Sequence, residues 1–160
     1  MSKLSLHPSV LLAWNIANNE ACLSGNKRIE PIHFWYAILK ILDDAFIQEA
    51  EQFDFTEEEI QTITEILKEG RSLTGLSDSE ITNMRRQLRK ELRSSRSAGN
   101  IRMLHRSEPS RALFRRAIIH ANNEDAERLS LEHLIEEIVA EHRRDRGEID
   151  AFESASDLIQ

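Results

Sequence analysis

One pattern is stated twice in this chain, and that duplication limits its fold more than any other feature. Residues 17–20 read Ala-Asn-Asn-Glu, and residues 121–124 read the same. Around these copies Val10, Ala13, Trp14 and Ala17 align with Phe114, Ala117, Ile118 and Ala121. Further on, after a four-residue slip, Ile29, His33, Phe34, Ile38 and Leu39 align with Leu129, His133, Leu134, Ile138 and Val139. Each copy reads as a helix, a short loop, a β-branched or leucyl residue, a histidine and a second helix. A repeated helix pair cannot bury its apolar face alone. The two copies are therefore expected to share a core in a pseudo-two-fold bundle.

The punctuation supports helices throughout. Pro8 suits a first helical turn, Val10, Trp14, Ala17 and Ala21 form an apolar stripe, and Gly25-Asn26 ends it. Pro31 opens a helix that is apolar nearly all round from Ile32 to Leu39, so burial on most faces is expected. A short helix is expected over 44–52. Thr56 with Glu59 and Ser77 with Glu80 are two capping boxes, each opening a helix. Ile60, Ile63 and Leu67 carry the core face of the first of these helices, Gly70 is expected to end it, and 71–76 reads as a loop. Ile81, Met84, Leu88 and Leu92 line the second. Residues 94–107, rich in Ser and Arg around Gly99-Asn100, read as a flexible linker.

In the second copy, Ser107, Glu108 and Pro109 start a helix with Leu113, Phe114, Ala117, Ile118 and Ala121 on its core face. Ser130 starts the next, with Leu131, Leu134, Ile135, Ile138 and Val139 inside. Gly147 breaks it, and 148–159 reads as a last short helix. No strand pattern stands out, so the fold class is all-α, with about seven to eight helices. The 160 residues suit a single domain. Repeat one spans about 6–70, a basic helix and linker 71–106, and repeat two 107–160.

Charge and chemistry narrow the function. A net charge of −7 argues against general nucleic-acid binding by the whole chain. The single cysteine, Cys22, excludes an intrachain disulfide and suits a reducing compartment. No apolar run approaches the ~18 residues of a membrane span, and no signal pattern opens the chain, so a cytoplasmic, membrane-free protein is expected.

The duplicated unit resembles the double N-terminal repeat of the Clp/Hsp100 AAA+ unfoldases. Small residues recur along the first helix of each copy, as Ala13, Ala17 and Ala21 and then Ala117 and Ala121. The second helix of repeat two, Leu-Ser-Leu-Glu-His-Leu-Ile-Glu-Glu-Ile-Val over 129–139, follows the family's Glu-His-Leu-Leu-type pattern. Residues 29–39 carry a variant in which Pro31-Ile32 replaces the usual acidic-histidine opening. The match covers about 6–70 and 107–143, and the long basic segment over 71–106 departs from it. The resemblance implies a pseudo-two-fold helical bundle, monomeric when isolated, that docks substrates or adaptor proteins for an ATP-driven ring. Members serve proteolysis, disaggregation or recycling of a type VI secretion sheath. No Gly-x-x-x-x-Gly-Lys-Ser/Thr motif occurs in the chain, so no P-loop ATPase is expected here.

Candidate sites follow from the residues. Arg85, Arg89 and Arg93 lie at i, i+4 and i+8, with Arg86, Lys90 and Arg96 beside them, on the side away from Ile81, Met84, Leu88 and Leu92. They read as a basic surface for an acidic partner, as a solvated face, or as partners for the acidic stretch over 43–69, whose one basic residue is Lys68. A regulator that holds nucleic acid through 85–96 is the rival function. It is disfavoured because no aromatic residues interleave with the arginines. Trp35 and Tyr36 are candidate anchors for a partner segment, at least one of them nearer the surface, while Trp14 and Phe34 read as core. Ala13, Ala17, His33, Phe34, Ala117, Ala121, His133 and Leu134 form the structural core of the repeats. His33 and His133 are expected to share a structural role near a helix start. His133, Glu137 and Glu141 stand at i, i+4 spacing, but no His-Glu-x-x-His motif exists, so no metal site is expected. No nucleophile or acid–base constellation stands out either, and neither catalysis nor a cofactor is expected. The sequence reading is a non-catalytic module that binds a protein or peptide segment.

Overall fold

The structure is a computed structural model and describes residues 4–43, 45–94 and 99–145. Its fold is all-α. The helices are α1 (Pro8–Leu23), α2 (Pro31–Leu42), α3 (Ile47–Gln52), α4 (Glu57–Thr64), α5 (Leu67–Thr74), α6 (Asp78–Ser94), α7 (Glu108–Asn123) and α8 (Leu131–Asp145). Two short strands, β1 (Ser5–Leu6) and β2 (Arg128–Leu129), pair in parallel. Gly147, Arg96 and the helix expected over 148–159 lie outside the described residues.

The duplication is real, but its register differs from the one the tetrapeptides suggest. Position for position, the repeats match at a constant spacing of 100 residues. His7 and Ser107 are the N-caps of α1 and α7, and each helix runs for 16 residues. Both end the same way. The amide of Ser24 bonds Glu20 and that of Glu124 bonds His120, while Asn26 reaches back to Ala21 and Ala126 to Ala121. Gly25 and Asp125 take the left-handed conformation that this turn requires, with φ of 72° and 56°. Ala17 is thus the counterpart of Ala117, and the two Ala-Asn-Asn-Glu copies are offset by four residues. One helical turn is 3.6 residues, so a four-residue slip leaves the alanines on the same face and hides the error. The slip misplaced Ile118, which was expected in the core and is exposed. The true partner of Trp14 is Phe114.

The repeats also exchange backbone bonds. Leu6, ahead of α1, pairs with Leu129, ahead of α8, and Arg106, ahead of α7, bridges to Ile29, ahead of α2. The amides of His7 and Ser107 donate to Leu129 and Ile29 at 2.9 and 3.0 Å. This reciprocity is what a pseudo-two-fold demands. Between the repeats Trp14, Phe34 and Phe114 meet with ring centroids 5.0–6.1 Å apart, and the Arg106 guanidinium lies 4.5 Å from the Trp14 centroid and 4.8 Å from that of Phe114. The alanines at 13, 17, 117 and 121 are wholly buried and let the helices approach closely.

Three further expectations are corrected. Gly70 does not end a helix. The break comes at residues 65–66, and α5 runs through Gly70 to Gly75, whose φ of 70° ends it. Gly70 lies against α2 and α8, where an added Cβ would sit 2.8 Å from Leu42 Cδ2 and 3.4 Å from Ile135 Cδ1. The described part of the 94–107 segment is no free linker. Gly99 N donates to Cys22 O at 2.8 Å, and the buried Asn18 amide gives and takes 2.8 Å bonds with Arg102 O and Leu104 N. Asn18 thereby serves the backbone at residues 102–104 as a strand neighbour would. Met84, expected in the core, is 38 % exposed. Both capping boxes, Thr56–Glu59 and Ser77–Glu80, close reciprocally.

Candidate functional site

The second helix of repeat one sets up a groove lined in part by exposed apolar side chains. Pro31 begins α2 at its first turn, and Glu30 and His33 cap it. The apolar residues on α2 outnumber those one neighbour can cover. Ile38, Leu39, Ile41 and Leu42 go into the core, while Ile32 and Trp35 are left on the flank facing α8. There they line a groove of about 550 Å³ with Thr74, Gly75 and Leu76 at the end of α5, Met84 of α6, and Ile138, Val139 and His142 of α8. Ile32 is 44 % exposed and Trp35 half-buried. Glu141 and Arg143 add one charge of each sign to the lining.

Of the two anchors expected on α2, the structure keeps one. Successive helical residues point about 100° apart, so when Trp35 lines the groove Tyr36 turns inward. Tyr36 is 1 % exposed and cannot contact a partner. The apolar stripes of α6 and α8 point Met84, Ile138 and Val139 toward the core, and Ile32 belongs to the apolar run of α2. All four line the groove. The signal for Ile32 was present in the sequence, as the uniformly apolar character of α2.

On the basic helix, the structure favours internal pairing over a free surface. Arg85, Arg89 and Arg93 do not form a free cationic surface. Arg85 Nε bonds Asp43 Oδ2 at 2.7 Å, with both side chains 13 % exposed, and the Thr82 hydroxyl donates to the other Asp43 oxygen. Arg93 holds Glu20 by two bonds, Nε to Oε2 at 2.8 Å and Nη2 to Oε1 at 3.0 Å, while Arg89 stands 3.8 Å away. Glu20 is 2 % exposed and also accepts from Ser24 Oγ. A buried carboxylate must be paired, and these arginines, at the margin of the apolar stripe, supply the charge. Of the carboxylates over 43–69, Asp43 alone joins this network among the described residues. Glu20 lies outside that stretch. Arg86 and Lys90 remain exposed on an open, shallow face.

The repeat histidines cap their helices. His33 Nδ1 accepts the amide of Glu30 at 2.8 Å, and His133 Nδ1 accepts that of Ser130 at 3.0 Å. Burial holds the His33 imidazole below its ordinary 6.5, against the opposing pull of Glu20 and Glu30. It is therefore neutral, as its acceptor role requires. Glu137, weighed as a ligand with His133 and Glu141, lies 3.6 Å from Arg116 Nε, and Arg116 Nη2 donates to Glu141 at 3.2 Å. Cys22 is buried, and its thiol donates to Arg102 O at 3.2 Å, a structural contact. No helix among the described residues is long and apolar enough to cross a membrane.

Compared with protein-family models, with curated proteins and with solved structures, the chain matches none of them.

Proposed function

We propose that this chain is a non-catalytic protein-binding module that takes an amphipathic helix of a partner protein into the groove between α2, α5, α6 and α8. The observation that carries the reading is the apolar lining of the groove, with Ile32 and Met84 exposed, Trp35 half-buried, and Ile138 and Val139 completing it. A helical ligand is favoured over an extended one by the backbone. The groove walls are helices whose own amides are used internally, so they offer no strand edge to bond an extended peptide. A helix brings its backbone bonds with it and needs only apolar contact. Trp35 is the expected hot spot, as a large, half-buried ring in the groove lining.

Together with the duplicated helical unit, this reading fits the resemblance to Clp/Hsp100 N-terminal domains. On that reading, the module docks substrates or adaptors for an ATP-driven unfoldase in the cytoplasm. The rival reading, an acidic or nucleic-acid partner held by the α6 face, is weakened because Arg85 and Arg93 are engaged by Asp43 and Glu20. Arg86 and Lys90 would have to carry it.

The test is differential capture. Proteins retained from lysate at high salt by the wild type are compared with those retained by Trp35→Ala, Met84→Asp and the double variant Arg86→Glu/Lys90→Glu. We expect a partner lost with Trp35→Ala and Met84→Asp but kept by the charge-reversed variant, at a cost to affinity of about 2 kcal/mol or more for Trp35→Ala. A peptide from that partner should gain helical circular dichroism on binding. Retention that vanishes in salt and with Arg86→Glu/Lys90→Glu, yet survives Trp35→Ala, would move the function to α6.

A further inference from the structure

The corner where α7 turns toward α8 carries a second cluster, separate from the groove. His120 and Glu124 stand one turn apart at the end of α7, and Glu136 projects from the second turn of α8. His120 Nε2 lies 2.7 Å from Glu124 Oε1 and 2.9 Å from Glu136 Oε2. One donor atom from each of the three residues lies within 4.8 Å of the other two. His133 orients the set. Its Nδ1 is occupied by the Ser130 amide, so the neutral ring carries its proton on Nε2 and donates to Glu124 Oε2 at 3.2 Å. On the far side of His120, Glu137 Oε1 stands 3.6 Å from Nδ1, the side from which a carboxylate orients a metal-bound imidazole.

The matching corner of repeat one shows what this cluster lacks. There the residue at the same position, Glu20, is closed over by Arg93. Here no Lys or Arg among the described residues pairs with Glu124 or Glu136, and Arg116 is directed to Glu137 and Glu141. Two carboxylates therefore converge on one imidazole nitrogen, which holds a single proton at most.

We propose that His120, Glu124 and Glu136 bind a divalent transition-metal ion of the Zn²⁺ class, which fastens the end of α7 to α8. One imidazole nitrogen with two carboxylate oxygens suits zinc-like ions, whereas Mg²⁺ and Ca²⁺ take oxygen ligands alone. In a tetrahedral zinc shell the ligand atoms stand about 3.3 Å apart, so the two carboxylates need ease back by only about half an ångström. Both side chains are solvent-accessible, and Glu124 keeps its other oxygen, Oε2, on His133. A fourth position is left to water.

The test is calorimetric titration of the full chain with ZnCl₂ at neutral pH, repeated with MgCl₂. We expect one equivalent of Zn²⁺, with Mg²⁺ failing to bind or compete. His120→Ala and Glu136→Gln should each weaken binding at least about tenfold, since even residues that merely orient ligands are worth that much. Glu141→Gln should leave it unchanged. Thermal melts run alongside show that each variant folds, and Zn²⁺ should raise the melting temperature of the wild type but not of His120→Ala. Absence of zinc binding overturns the site. So does zinc binding that survives His120→Ala, which would place the ion on other histidines, or equal affinity for Mg²⁺, which would reduce the corner to a carboxylate cluster.

Discussion

The same corner of the fold is built twice with opposite chemistry. At the end of the first helix, repeat one has Glu20 and Ser24 where repeat two has His120 and Glu124, yet the backbone bonds that close the two turns correspond one for one. Across the corner, Tyr36 stands where Glu136 does, and the histidine at 33 or 133 caps the next helix in both. In repeat one the corner is buried because α6, part of the segment inserted between the repeats, lays Arg89 and Arg93 over Glu20. Repeat two has no described helix in that role, and its corner stays open to solvent. A duplicated backbone is thus compatible with a structural ion pair on one side and a candidate ligand set on the other. The inserted helix, more than the repeats themselves, decides which.

The largest test of this contrast lies where the repeats touch. Phe34 and Leu134 occupy matching positions and both are wholly buried, but Phe34 contacts both Trp14 and Phe114. By denaturant unfolding, Phe34→Ala should cost about 4 kcal/mol and Leu134→Ala about 3 kcal/mol. Equal or reversed costs would show that the aromatic cluster does not set the asymmetry. Next comes the corner itself. Arg93→Ala strips Glu20 of its two-pronged partner and should cost about 3 kcal/mol. His120→Ala, at the open corner, should cost under about 1 kcal/mol when no metal is present. If Arg93→Ala proved neutral, α6 would not be what closes repeat one.

The smallest effect concerns acid. Burial lowers the His33 pKa below the ordinary 6.5, so on acidification the unfolded chain takes up the proton first. The stability this neutral ring contributes is complete above pH 6.5 and declines as pH falls below it. His7, lowered by burial and by Arg128, adds in the same direction. Melting temperature followed through that range should fall less on acidification, or rise more, in His33→Gln than in the wild type. A slope unchanged in His33→Gln would assign the acid sensitivity elsewhere.

Local rules made much of this legible. The N-caps at Thr56, Ser77 and Ser107, the first-turn prolines and the turn at Gly25 rest on nearest-neighbour geometry, and the structure uses each. Gly70 shows where such reading stops, because a glycine can serve a turn or a close crossing and only the neighbours tell which. Asp125 supplies the counter-example, a left-handed turn position with no glycine to announce it. The groove was half visible. Trp35 stood out as an anchor, but Tyr36 beside it was indistinguishable until the facing helices fixed which side is covered.

The sequence by itself determined the helical character, the duplication and the capped helix starts, because caps and periodicity act over one or two turns. It did not determine the register of the duplication, since a slip of one turn preserves the buried face. Nor did it determine the fate of the arginines on α6 or the meeting of His120 with Glu136. Those rest on which side chains the tertiary fold brings together from distant positions. A charged group's role depends on whether an opposite charge is buried beside it, and that partner lies 73 residues away for Arg93.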